Sequence, residues 1–107
     1  MTTKYVNIYE EQTGITGQSD EFLVDATAQI SIVALETAGG AASIQTTIDP
    51  HAVVEAGMAT WVTSSGGVRS DTFMESSTGP ITGVRLTADS GAWTLKILHV
   101  KATNKEA

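Results

Sequence analysis

Apolar and polar residues alternate in short runs along this chain. Clusters of Gly, Ser, Asp and Thr separate the runs, and no helical period of useful length appears. The strongest signal is residues 79–100, GPITGVRLTADSGAWTLKILHV. Ile81, Val84, Leu86, Trp93, Leu95, Ile97 and Leu98 supply apolar, β-favouring side chains, and Asp89-Ser90-Gly91 between them suits a hairpin connection. Trp93, Leu95 and Ile97 alternate with Thr94, Lys96 and Leu98, which predicts a strand with one buried and one mostly wet face.

The same reading divides the rest of the chain. Tyr5, Asn7 and Tyr9 alternate with Val6 and Ile8, forming either a first strand or an arm that pairs outside its own core. Residues 10–20, EEQTGITGQSD, read as a flexible loop, and residues 21–24 as a short strand. Residues 28–36, AQISIVALE, predict a stronger strand that turns at Thr37-Ala38-Gly39-Gly40. Residues 42–48 follow, with Ile44 and Ile48 on one face and Ser43, Gln45 and Thr47 on the other. A short helical turn is expected near 50–56, with Asp49 as its N-cap, Pro50 at its first position and Gly57 as its stop. Residues 58–64 and 68–74 read as hairpin partners around Ser65-Gly66-Gly67, with a loop over 75–80.

This gives seven to eight strands at a spacing of about ten residues, which predicts an all-β, single-domain antiparallel β-sandwich of jelly-roll or Greek-key type. The sandwich is assigned to residues 21–100, preceded by the arm or first strand and its loop (1–20) and followed by a frayed tail (101–107). The expected core is Ile30, Ile32, Ile44, Ile48, Val62, Val84, Leu86, Trp93, Leu95 and Ile97.

Charge narrows the partners. The net charge is −6, and Lys4, Arg69, Arg85, Lys96, Lys101 and Lys105 are scattered singly, so no cluster could neutralise a run of phosphates. Nucleic acid is therefore not an expected partner. With no cysteine, disulfides, thiolate metal sites and cysteine nucleophiles drop out. The first residues show no basic segment followed by an apolar one, and no apolar run approaches the ~20 residues that cross a bilayer, so a soluble protein without membrane contact is expected.

Candidate chemistry is sparse. His51 and His99 have no ligand-type neighbours at matched spacing, and read as a solvated turn residue and a surface or interface residue. Ser64-Ser65 and Ser76-Ser77 sit in turns, with no nucleophile-elbow motif. Glu10, Glu11, Asp20, Glu21 and Asp25 do not match a calcium loop. Gly39-Gly40 and Gly66-Gly67 are turns rather than phosphate cradles. No enzyme activity, metal or cofactor is expected. Trp93 falls in line with the core, whereas Trp61, between Ala59 and Thr63, is placed in the core, in a subunit interface or against a sugar ring.

The stretch IQTTIDPHAVVEAGMATWVTSSGGV, followed by GPITGVRLTADSGAWTLKILHV, resembles small virion proteins of tailed bacteriophages. The shared features are Thr46 to Asp49 as a strand ending in a turn, Ala52 to Gly57 as a short A-x-x-x-A-G segment, and Thr60-Trp61 opening a strand. Gly79 to Arg85 and Gly91 to Leu95 supply the closing strands. The resemblance implies a non-enzymatic structural virion protein on the capsid exterior, made in the host cytoplasm. Its expected role is capsid decoration, cementing neighbouring shell subunits. The expected partners are the major capsid protein and copies of itself, a trimer being the form that suits capsid three-fold positions. Tyr5, Val6, Ile8 and Tyr9, together with Trp61, are the expected partner-binding residues. The alternative is a carbohydrate-binding or tail and fibre accessory module for host recognition.

Overall fold

A computed structural model describes residues 2–24, 29–77 and 80–105, with side chains over 6–24, 29–77 and 80–100. Asp25, Gly79 and the side chain of Tyr5 lie outside the described set. The elements in chain order are β1 (Thr2–Ile15), β2 (Phe22–Leu23), β3 (Ile30–Glu36), β4 (Ala42–Thr47), α1 (His51–Glu55), β5 (Val62–Thr63), β6 (Phe73–Ser77), β7 (Gly83–Ala88) and β8 (Trp93–Lys105). They form two four-stranded antiparallel sheets, ordered β1-β8-β3-β6 and β2-β7-β4-β5.

The pairing is nested. β1 pairs with β8, β2 with β7, β3 with β6 and β4 with β5, while β3–β8 and β4–β7 contacts complete the sheets. A long hairpin wrapped around a barrel axis gives this order, and it is the jelly-roll form of the predicted sandwich. The helical turn near 50–56 is present as α1.

Several local expectations are corrected. The two strands of residues 79–100 do not pair as a hairpin: β7 belongs to one sheet and β8 to the other. Asp89-Ser90-Gly91 carries the chain across the core as an arch, as Gly39-Gly40 does between β3 and β4. The segment around Gly66-Gly67 likewise leads from β5 in one sheet to β6 in the other. Strand alternation and a glycine turn are common to hairpins and arches, so local sequence does not distinguish them. The glycines are needed because the arches touch. Gly40 and Gly91 have φ of 129° and 77°, and a Cβ on Gly91 would strike the Gly39 carbonyl oxygen. The Ala41 N–H donates to Ser90 Oγ at 3.1 Å and the Thr37 hydroxyl to the Ala92 carbonyl at 2.8 Å, stitching the arches together.

The core is built by the inward residues of each strand. Ile30, Ile32, Ala34, Phe73, Trp93, Leu95 and Ile97 of one sheet face Ala42, Ile44, Val84, Leu86 and Ala88 of the other. Trp93 and Phe73 meet edge to face with ring centroids 6.1 Å apart, and Trp93 Nε1 donates to the Ser90 carbonyl at 3.1 Å. Two expected core residues are not there. Ile48 is 76% exposed because β4 ends at Thr47, so its alternation carries no further. Val62 is 62% exposed because β5 is a two-residue edge strand with nothing packed outside it.

The chain ends also differ from expectation. Residues 10–15, expected in a loop, are the second half of β1, and residues 101–105, expected to fray, continue β8. Each end satisfies the other's backbone, which composition alone does not reveal. Asp49 does not cap α1. Pro50 occupies the N-cap position without a side-chain bond, and the Asp49 carboxylate instead accepts the Thr60 N–H at 2.6 Å.

Candidate docking surface

Strand length decides what protrudes. β3 pairs with β8 only from Trp93 to His99, whereas β1 follows β8 from Trp93 to Lys105. Beyond His99, residues 2–7 and 100–105 therefore form a two-stranded ribbon, and no other strand pairs with it among the described residues. Six residue pairs at the rise of an antiparallel strand make it about 20 Å long. The described chain measures 51 × 25 × 22 Å.

The register fixes which residues share a face. Directly opposed residues lie on the same side of a sheet, so Tyr9 pairs with Leu98, and Glu11 with Lys96, on the face turned away from the core. Val33 and Met74 continue the Lys96 row across β3 and β6. Tyr9 is 55% exposed and Met74 65% exposed, and Leu98 is exposed beside Tyr9. The outer face thus carries two different rows: Tyr9 and Leu98 run on into Ser31 and Ser76, and Glu11 and Lys96 run on into Val33 and Met74. The Tyr9 hydroxyl donates to a Glu11 carboxylate oxygen at 3.0 Å. Partial desolvation, then the Glu11 hydrogen bond and charge, hold its phenol above the ordinary value.

On the opposite side, toward the core, Ile8 faces His99 and is half-buried, while Val6, two pairs further out, is exposed. Of the expected docking residues, Tyr9 lies on the outer face at the foot of the ribbon and Val6 and Ile8 on the opposite face, with Tyr5 two outer-face register positions beyond Tyr9, past Asn7. Trp61 is not with them. It lies just before β5, at the far edge of the other sheet. The Arg85 guanidinium covers its ring at 4.5 Å and is itself held by Gln45 Oε1 at 2.7 Å and Glu21 at 3.3 Å. One face of this half-buried indole is thus occupied by the chain's own cation. Beside it, Thr46, Thr47, Ile48, Asp49, Thr60 and Val62 line an open hollow of about 380 Å³.

His99 corrects the expectation of a surface or interface residue. It points into the core end of the sandwich and is 4% exposed. Its Nε2 lies 3.5 Å from a Glu10 carboxylate oxygen, and both ring nitrogens lack a hydrogen-bond partner among the described residues. His51 is exposed, yet its Nε2 lies 2.8 Å from the Val24 carbonyl oxygen, tying α1 to the end of β2. Sequence reading missed Leu98 and Met74 as part of the surface. Leu98 did carry a signal: it is the apolar residue that breaks the alternation of β8 on the wet face.

Among the described residues no group of three or more His, Asp or Glu side chains is placed to hold a metal ion. No protein-family model matches this sequence, and the curated proteins contain no relative of it.

Proposed function

We propose that this chain is a structural component of a phage particle, a capsid decoration protein that binds across neighbouring shell subunits. The observation that carries the reading is the ribbon and the outer face at its foot. Tyr9, Leu98 and Met74 are exposed on the outer face of one sheet, next to a two-stranded extension. Isolated two-stranded ribbons are marginal in water and gain stability by packing on another surface. A jelly-roll sandwich supplies the rigid platform behind it, and the sequence resemblance to small virion proteins supplies the setting.

In this reading Tyr5, Val6, Ile8 and Tyr9 reach a groove at a subunit boundary, and Leu98 and Met74 add apolar area on the outer face. Many copies acting together give avidity from a modest single contact. The test is the amount of this chain in purified particles of the phage that encodes it, by quantitative mass spectrometry against the major shell protein. A fixed simple ratio to the shell protein, distributed over the head, is the expected result. Absence from particles, or confinement to the tail, overturns the decoration role.

A further inference from the structure

Among the described residues, three of the four sheet edges are blunted by length, since β2 and β5 have two residues each and β6 has five. The fourth, β1, has fourteen. It contains no proline, and its pairing with β8 is regular from Thr2 to Gln12, with a register shift only between Gln12 and Ile15. A long, regular edge strand presents unpaired backbone donors and acceptors to another strand, which natural proteins ordinarily prevent.

We infer that β1 pairs antiparallel with β1 of a second copy of this chain about a two-fold axis at Asn7, joining two β1-β8-β3-β6 sheets into one. The register argues for this occupant. Residues that oppose one another across a two-fold must share a face, so their numbers sum to an even value. With a sum of 14, Lys4 faces Glu10 of the second copy, Tyr5 faces Tyr9, Val6 faces Ile8, and Asn7 faces its own mate. Opposite charges, aromatic residues and apolar residues are thus matched, and symmetry repeats each match. The neighbouring registers lose the match: a sum of 16 sets Val6 against Glu10, and a sum of 12 sets Lys4 against Ile8. The pairing also relieves the ribbon, which becomes the four-stranded array β8-β1-β1-β8. The two outer faces remain free and lie side by side. This inference does not rest on the capsid reading, and it makes the closed form a dimer.

Sedimentation velocity of the isolated full chain over a concentration range is the first test, with a two-chain species expected. Lys4→Glu sets like charges opposite each other at two symmetry-related places and is expected to weaken the dimer about tenfold. The chain has no cysteine, which allows a register test. Asn7→Cys brings two thiols to the axis within disulfide reach and is expected to link the dimer under mild oxidation. Thr13→Cys lies about 40 Å from its mate in this register and is expected to remain unlinked. A monomer at all concentrations overturns the inference. So does a dimer that Asn7→Cys fails to link, or one that Thr13→Cys links equally well.

Discussion

Among the described residues, His99 carries a clear cost to stability. An imidazole that is almost wholly buried, with two ring nitrogens unpaired among the described residues, forgoes its hydration without gaining hydrogen bonds. The Glu10 carboxylate at 3.5 Å returns only part of that, because it is itself partly open to water. His99→Leu keeps the volume and removes the unsatisfied atoms, while Glu10 can turn outward. It is expected to raise the free energy of unfolding by about 1–2 kcal/mol, read from urea denaturation. A loss of stability in that variant would show that the imidazole is satisfied in a way the described neighbours do not account for. Its position beneath the ribbon, opposite Ile8, places the strain next to the surface assigned to docking.

Among the elements, β1 belongs to the sandwich and to the protruding ribbon at once, and truncation separates the two parts. Removing residues 1–5 trims the ribbon beyond Val6 and is expected to leave the thermal midpoint within a few degrees of the full chain. Removing residues 1–12 strips the neighbour from β8 as far as Leu95 and is expected to unfold the domain, read by loss of the near-ultraviolet signal of Trp93. The strands themselves were legible in the chain: the alternation over Ile30–Glu36 and Trp93–Ile97 marks their buried faces correctly. Their partners were not. Asp89-Ser90-Gly91 has the chemistry of a hairpin turn and serves an arch, because left-handed glycine geometry meets both needs. Residues 10–15 read as loop because Glu10, Glu11 and Gly14 are of types depleted in strands, yet the long register with β8 holds them. At the candidate site, Tyr9 and Ile8 were visible as an alternating patch. The placing of Leu98 beside Tyr9, and of Met74 in the Lys96 row, required the register, which no single strand contains.

For the molecule as a whole, the nested pairing makes almost every strand contact remote in sequence. The outermost pair joins residues 2–15 to residues 93–105, and β2–β7, β3–β6 and β4–β5 close successively shorter loops inside it. Loop closure of this kind must be completed before burial rewards it, so folding is expected on the millisecond-to-second scale typical of all-β sandwiches. Stopped-flow refolding followed by tryptophan fluorescence measures this. A microsecond phase carrying the full amplitude would contradict the topology. The nested order also gives folding a starting point: among the described residues, β4 and β5, joined through α1, are the only consecutive strands that pair directly.

The joining of β1 to β8 has a consequence for synthesis. A ribosome makes β1 first and β8 last, so the first strand emerges with no partner and waits through the production of all the others. Until β8 is out, neither the ribbon nor its outer face exists, and the long edge of β1 is only a loose segment. A chain interrupted anywhere before β8 cannot present the surface by which it would join an assembly. The protruding surface is thereby confined to chains whose translation has run through β8.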